Sequence, residues 1–483
     1  MAGGVVGGAV CHRLLAYLAL AAAGRAGQGE PPDAPQSALL AGGCGGPVAA
    51  ECFDDDGRLE LLQRFATEHE APSPLSLDSR ASQRANLSAR TLRGGGVRLA
   101  LRTPTAGPND CSRRGPVPED QMPVWDGSPA SFFDDYRPYA DIQRYLDSLV
   151  ERYPKVVTPK TIGQSWEGRK LSVLEITDPT NGVPSEDKPC IFVEGGIHAR
   201  EWIAPAAVMQ VAAKMAQEAS RPGRSAALQR YVFTFLVPVN PDGYVYTWEA
   251  NRMWRKTRSN RSEYACRGVA AGVDANRNFG YTWGDTADAS YARDLREPCT
   301  EVFIGPAAFS EPETRAVANY LRRRQRRSQA TGTTDASGAA LPGPGYAAAF
   351  IDVHSFAQKL LPPWAFTASY PEGADGSYQT GLTTSMVRAI ESAGSRKRFS
   401  AGPDLFPADP GTGPDWAYGE LGVRATMTIE LEPTVSWWGG GFCLDRSNIR
   451  SVGEEQIAAI GALAQYLLDH GDEPSRSYGF FAA

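Results

Sequence analysis

The sequence predicts an α/β fold in which a sheet carries helices on both faces, preceded by a poorly structured N-terminal segment. Three observations carry this expectation. From about Phe132, apolar runs of strand length alternate with longer segments of helical periodicity. Those runs, CIFVEGG and AAFIDV among them, are not interrupted by polar residues at period two, which is the pattern of strands buried on both faces. Upstream, residues 28 to about 125 are instead rich in Gly, Pro, Ser, Ala and Arg, with one helix-like piece at GRLELLQRFATEHE.

Taken in order, YADIQRYLDSLVERYPKVV has helix-spaced apolar positions and is ended by Pro154. LSVLEI and CIFVEGG read as strands, PAAVMQVAAKMAQEA as a helix, and YVFTFLVPV as a strand stopped by a turn at Asn240-Pro241-Asp242-Gly243. PETRAVANYLRRRQRR is the next helix, and the low-complexity stretch from about Gln325 to Gly345 reads as an inserted loop. GYAAAFIDV and VRATMTIEL are strands separated by the helix TGLTTSMVRAIESA, and GEEQIAAIGALAQYLLDH closes the chain as a helix. No internal repeat is evident.

The bulk numbers bound the class. The 483 residues are 42% apolar, which suits one large domain with a smaller appendage. A net charge of −6 without a basic run leaves no electrostatic footprint for nucleic acid. At the N-terminus, His12-Arg13 precede an apolar stretch from Leu14 to about Ala23, roughly half of the ~20 residues that span a bilayer, so residues 1–28 read as a secretory signal peptide and no membrane span is expected. Residues 29–125 then form an N-terminal segment, 126–475 the main domain and 476–483 a tail. Of the eight cysteines, Cys11 leaves with the signal and Cys190, inside an apolar run, reads as a buried free thiol; six remain that can pair in an oxidising compartment. Asn86 and Asn260 lie in glycosylation sequons.

In open α/β sheets the site lies beyond the carboxyl ends of the strands, and here the polar residues gather at those exits. CIFVEGG runs into His198, Arg200 and Glu201; YVFTFLVPV leads towards Arg255; AAFIDV ends at His354; ATMTI ends at Glu430. His198 and Glu201, three apart, fall on one side of a turn and can bind one metal, with His354 as a third ligand; two His and one Glu leave an open position for water, a catalytic zinc arrangement. With five histidines in the chain, few others compete. The cluster Asp274-Ala275-Asn276-Arg277-Asn278 is either a capped loop or a carboxylate-binding fork, with Asp274 available to orient a metal-bound histidine. Glu430, at the end of an apolar strand, is either salt-bridged or a general base.

With these residues in place, the chain strongly resembles the zinc metallocarboxypeptidases of the pancreatic carboxypeptidase A/B type. IGQSWEGRKLSVLEI, GGIHAREWIAP, NPDGYVYTWEANRMWRKTRS, GVDANRNFG, IDVHSF, PDWAYGELG and MTIEL occur in the family's order. The resemblance implies a mixed, mostly parallel eight-stranded twisted sheet and a secreted exopeptidase that removes C-terminal residues from peptides and proteins. It implies one zinc per chain on His198, Glu201 and His354, Glu430 as general base, and Arg255 as the group that polarises the scissile carbonyl. Asn276 and Arg277 match the pair that grips the terminal carboxylate, Arg200 an accessory arginine further out, Asp274 the partner of the first histidine, and Cys266 with Cys299 the family's disulfide.

Three departures qualify the match. Phe406 stands where the family's mobile tyrosine is expected, and losing one hydrogen bond to a charged group is worth ~1.5–3 kcal/mol, so substrate capture is expected to weaken. Phe356 likewise lacks a hydroxyl that family members often carry. Pro414 replaces the acidic residue of basic-specific members and, with Ala365 and Thr428, lines a pocket expected to take apolar or aromatic C-terminal residues; Asp409 in the neighbouring loop keeps the basic alternative open. The N-terminal segment is expected to be an inhibitory pro-segment, with Arg90, Arg93 and Arg113-Arg114 as candidate sites for an activating endoprotease, and the enzyme to be a monomer. The competing reading is a catalytically weak or inactive relative that binds peptide C-termini.

Overall fold

The structure is a computed structural model that describes residues 109–475 except 222, 224, 262–265, 267–270, 330–342, 368, 396–397, 404–408 and 435–440. The signal sequence, most of the N-terminal segment with Arg90, Arg93 and Asn86, most of the insertion, Phe406 and the 476–483 tail lie outside the described residues.

Helix α1 (Tyr139–Arg152) buries Ile142, Tyr145, Leu146 and Leu149, one face at helical spacing. Strands β1 (Val157–Gln164), β2 (Lys170–Ile176) and β3 (Cys190–Gly195) follow, then α2 (Ile203–Ala219), the short α3 (Ala226–Arg230) and β4 (Val232–Leu236). The expected turn at Asn240-Pro241-Asp242-Gly243 is instead the first turn of α4 (Pro241–Glu249). Asn240 caps it, its Oδ1 accepting from Gly243 N at 2.9 Å, and Pro241 occupies a position where a missing N–H costs nothing. The remaining elements are α5 (Ala289–Arg296), α6 (Pro312–Gln329), β5 (Ala347–Ser355), β6 (Lys359–Leu361), α7 (Gly373–Ser392), β7 (Ser400–Ala401), α8 (Gly413–Gly419), β8 (Ala425–Leu431) and α9 (Ile449–His470).

The strands form one mixed eight-stranded sheet in the order β1-β2-β4-β3-β5-β8-β6-β7, and β4, β3, β5 and β8 are parallel neighbours at its centre. The side-chain alternation of a strand divides the core between two faces. Ile191 and Val193 of β3 join the cluster built with α2, α7 and α9, whereas Cys190 and Phe192 face the cluster that includes Val317 and Leu321 of α6 and Trp416 of α8. Phe192 stacks on Phe350 of β5 with centroids 5.7 Å apart. Cys190 is the free, buried thiol. Each fully buried aliphatic or aromatic side chain stabilises the fold by ~1.5–3 kcal/mol, so the doubly covered central strands are its most strongly held part.

The register of these strands positions the site. Glu194 of β3 lies opposite Asp352 of β5, and Asp352 and His354 lie opposite Thr428 and Glu430 of β8. His354 and Glu430 are therefore neighbours by strand pairing.

The packed body begins upstream of the expected boundary at residue 126. Val117 and Trp125 are buried in the main cluster, and Cys111 is disulfide-bonded to Cys443. The guanidinium of Arg252, buried over the Trp202 ring at 3.8 Å, donates to Asn109 Oδ1 at 2.9 Å and to Phe442 O at 2.7 Å. Arg113 donates to the carbonyls of Gly115, Thr247 and Trp248, and Arg114 bridges to Asn251. Arg113-Arg114 is thus part of the body rather than a free protease-sensitive joint. A cut there would also leave Cys111 and everything upstream attached through Cys443 until the disulfide is reduced. Native-state proteolysis with trypsin is expected to cleave after Arg113 or Arg114 no faster than the body unfolds; fragment masses showing a cut there in the fully folded protein would contradict this.

Candidate metal and catalytic centre

Gly195 and Gly196 make the exit from β3 possible. Gly196 has φ +78°, a conformation that side chains resist, and a Cβ at Gly195 would press on Val208 and on the Ala204 carbonyl of α2. The chain can therefore turn sharply at the end of β3 and deliver His198 and Glu201 just before α2, where Glu201 N bonds His198 O at 3.3 Å.

His198, Glu201 and His354 are all buried and converge, each offering one ligand atom within 4.8 Å of the others. His198 Nδ1 is 2.9 Å from Glu201 Oε1, His354 Nδ1 is 3.0 Å from Glu201 Oε2, and the two Nδ1 atoms are 3.0 Å apart. The outer nitrogens turn away to carboxylates: His198 Nε2 lies 3.0 Å from Asp274 Oδ1 and His354 Nε2 lies 2.7 Å from Asp352 Oδ2. Two imidazoles held through their far nitrogens, with a carboxylate between their near ones, form a donor set that fits a zinc ion. Burial would raise the Glu201 carboxyl, but His198 and His354 outweigh it and hold the group well below the usual range.

Asp274 serves several partners at once. Its Oδ1 contacts His198 and accepts from Asn276 N at 3.1 Å, and its Oδ2 accepts from Arg255 Nε at 3.1 Å and Nη2 at 2.8 Å. Burial opposes ionisation here, yet Arg255 and His198 keep this carboxyl well below its ordinary pKa. Arg255 Nη1 in turn lies 3.2 Å from His198 Nδ1, at the edge of the ligand cluster. Asp274 also caps the 3₁₀ turn Ala275–Arg277, which fixes Asn276 and Arg277. Arg277 donates to Tyr291 Oη at 3.1 Å and pairs with Asp409 at 2.7 Å, while Tyr291 donates to Asp409 at 2.6 Å. Burial disfavours the Arg277 cation, but Asp409 and Tyr291 together raise its pKa.

Burial pushes the Glu430 carboxyl up to about 7, with Glu201 and Asp352 adding to the rise and His354 and Arg255 opposing it, and its Oε2 is buried without a hydrogen-bond partner. Arg200 pairs with Glu301 at 2.9 Å and stacks over Phe442 at 4.3 Å. Phe356 packs edge-on against the same Phe442. Ala365 N donates to Asp415 and its carbonyl accepts from Asp409 N; Pro414 is buried in the first turn of α8, whose Gly413 N donates to Asn276 Oδ1 at 3.0 Å. Thr428 faces Asp352 across the sheet. Cys266 and Cys299 are disulfide-bonded.

Sequence patterning does not single out Asp352, Glu194 or Tyr291. Asp352 and Glu194 were absorbed into apolar strands, although a carboxylate two residues before His354 must share its side of the strand. Glu194 is fully buried, with no hydrogen-bond partner for either oxygen among the described residues, and burial beside Asp352 raises its pKa well above the usual range.

A buried His/Glu/His cluster at the carboxyl ends of an α/β sheet, flanked by a carboxyl of raised pKa and fixed guanidinium groups, defines a metal-dependent hydrolase. A model of the zinc carboxypeptidase family matches residues 142–459, and the chain belongs to that family; it is a metallocarboxypeptidase. Carboxypeptidase B of Astacus astacus is 32% identical over 339 residues, covering 69% of this chain and 97% of the crayfish protein, and human carboxypeptidase B is 30% identical over 342 residues, covering 70% and 72%. The solved structure of bovine thrombin-activatable fibrinolysis inhibitor in complex with tick carboxypeptidase inhibitor superposes with TM-score 0.57 at 29% identity, covering 70% of this chain and 99% of that one.

Replacing Asp274 by Asn is expected to weaken zinc binding by ~10–100-fold in a chelator competition, because His198 loses the carboxylate that orients it. Unchanged affinity would remove Asp274 from this role.

Proposed function

We propose that the protein is a secreted, monomeric zinc carboxypeptidase of the pancreatic A/B type that hydrolyses the C-terminal peptide bond of peptides and proteins. The observation that carries the proposal is the convergence of the His198 and His354 Nδ1 atoms on the Glu201 carboxylate, with Glu430 paired beside His354. His198, Glu201 and His354 would hold a zinc ion, which would supply Lewis-acid polarisation and activation of water. Glu430 then takes the proton of the attacking water and passes it to the leaving amine. Its carboxyl, raised by burial to about 7, is basic enough to accept that proton and acidic enough to return it. Arg255, locked by Asp274, directs its remaining guanidinium edge at the charge that develops on the carbonyl oxygen. Asn276 and Arg277 receive the terminal carboxylate, and Arg200 offers a second guanidinium further out. Secretion is supported by two disulfides and by the absence, among the described residues, of a helix long and apolar enough to cross a membrane. The N-terminal segment that begins at residue 29 is proposed to inhibit until an endoprotease cuts it.

Pro414, Ala365 and Thr428 put no charge in the pocket, which supports an apolar or aromatic C-terminal residue as substrate. A second reading is favoured by Asp409: its carboxylate could meet a C-terminal Lys or Arg if Arg277 released it. The two differ in a direct comparison of peptides ending in Phe and in Arg. Faster release of Phe is expected, and a clear preference for Arg would replace the first reading by the second.

Glu430→Gln is expected to lower kcat by ~10²–10⁴-fold while leaving one zinc per chain, and a chelator to abolish turnover reversibly. Because a base must be deprotonated to act, kcat/KM should fall on the acid side with a midpoint at or below about 7, the bound cation pulling it down. Retained turnover in Glu430→Gln would reassign the base; absence of zinc and of turnover in the natural protein would leave a binder of peptide C-termini.

A further inference from the structure

His354 Nε2 has two neighbours that make opposite demands on it. Asp352 Oδ2, at 2.7 Å, can only accept, so it requires Nε2 to carry the proton. Asn276 Nδ2, at 3.2 Å, can only donate, so it requires Nε2 to be bare. Rotating the Asn276 amide does not relieve the conflict. Its Oδ1 already accepts from Gly413 N at 3.0 Å, and a backbone N–H has no other role to offer, so the amide nitrogen is held facing His354.

The contact with Asp352 prevails. It is shorter, its acceptor is a carboxylate in a fully buried setting, and such bonds are about twice as strong as neutral ones. Residue 352 is also fixed in place, two residues before His354 on the same side of β5 and flanked in register by β3 and β8. With the proton on Nε2, the lone pair of Nδ1 points at His198 and Glu201. Asn276 then has no acceptor in His354, and its amide hydrogens remain for another partner.

We propose that Asp352 is a positioning residue with two linked effects: it selects the His354 tautomer that can bind metal, and it thereby frees the Asn276 amide for the substrate. The proposal rests on His354 being a zinc ligand. Without Asp352, a bare Nε2 would accept from Asn276, the proton would move to Nδ1 on the metal side, and the same event would withdraw Asn276 from the substrate.

Zinc affinity measured by chelator competition tests this directly, with circular dichroism as a check of folding. Asp352→Ala should bind zinc ~10–100-fold more weakly, and the remaining activity should show a raised KM as well as a lowered kcat. Asp352→Asn, which keeps the shape and a neutral acceptor, should fall between this variant and the natural protein, and it carries the test if the alanine variant does not fold. Adding Asn276→Ala to either variant removes the donor that favours the wrong tautomer, and should recover at least threefold in zinc affinity; a merely structural role for Asp352 would give no such recovery. Affinity within twofold of the natural protein in both Asp352 variants, or no recovery on adding Asn276→Ala, would overturn the proposal. If the natural protein itself binds no zinc, the assignment of His354 as a ligand fails first.

Discussion

The buried carboxylate of Asp274 is the interaction on which the rest of the centre depends. A lone ionised carboxylate in this position would be prohibitively desolvated, and the fold holds it only because His198, Arg255 and the Asn276 N–H surround it. The dependence runs both ways. Arg255 is itself largely shielded from solvent and keeps its charge because Asp274 answers it. His198 is turned so that its free nitrogen faces the ligand cluster, and the turn bearing Asn276 and Arg277 is capped by the same side chain. One carboxylate therefore sets the orientation of His198, of Arg255 and of the turn that carries Asn276 and Arg277.

The second constraint is the register of β3, β5 and β8. Parallel strands in register bring equivalent positions level, so His354 and Glu430 need no loop to hold them together, and Asp352 comes level with Glu194 on one side and Thr428 on the other. Both faces of these strands are covered by helices, so a slip by one residue would exchange the two apolar faces along the whole strand. The precision of the site is thus drawn from the packing of the core. The cost is also visible: the carboxyl groups of Glu194 and Asp352 are buried side by side, and among the described residues both oxygens of Glu194 and Oδ1 of Asp352 have no hydrogen-bond partner.

What could be read from the sequence follows from how local each signal is. His198 and Glu201 are joined by spacing, and His354 and Glu430 each end an apolar run, so their convergence was legible from strand exits alone. The first turn of α4 was not. Asn-Pro-Asp-Gly is a turn signal, but Asn as a cap and Pro at the first helical position open a helix with the same residues, and only the following Tyr244, Thr247 and Trp248, buried on one side, decide between them. The partner of Arg277 was hidden because Asp409 is brought to it by folding, from a distant loop. The Cys111–Cys443 pair was hidden for the same reason, since four unassigned cysteines allow three pairings. Residues 109–125 lack periodicity because they are held by a disulfide and by individual bonds to backbone carbonyls, as at Arg113, and not by an amphipathic face.

The pairing of Arg277 with Asp409 bears on what substrate binding contributes. A buried guanidinium waiting for a carboxylate would be as costly as an unpaired acid, and Asp409 with Tyr291 removes that cost before any substrate arrives. On the proposed reading, an incoming terminal carboxylate would meet an arginine already neutralised and would exchange or share a partner, so the net gain from this contact would be smaller than a free cation would give. The same holds at Arg200, which is engaged by Glu301. Arg255 differs: its bidentate partner is Asp274, and the guanidinium nitrogen that faces the ligand cluster lies 3.2 Å from His198 Nδ1. Of the three arginines, Arg255, proposed to meet the charge that develops during reaction, is the one whose edge towards the ligand cluster is bonded to His198 and not to a carboxylate. On that reading, interaction energy would be concentrated on the transition state and spared from the ground state, the distribution that raises turnover and not merely affinity.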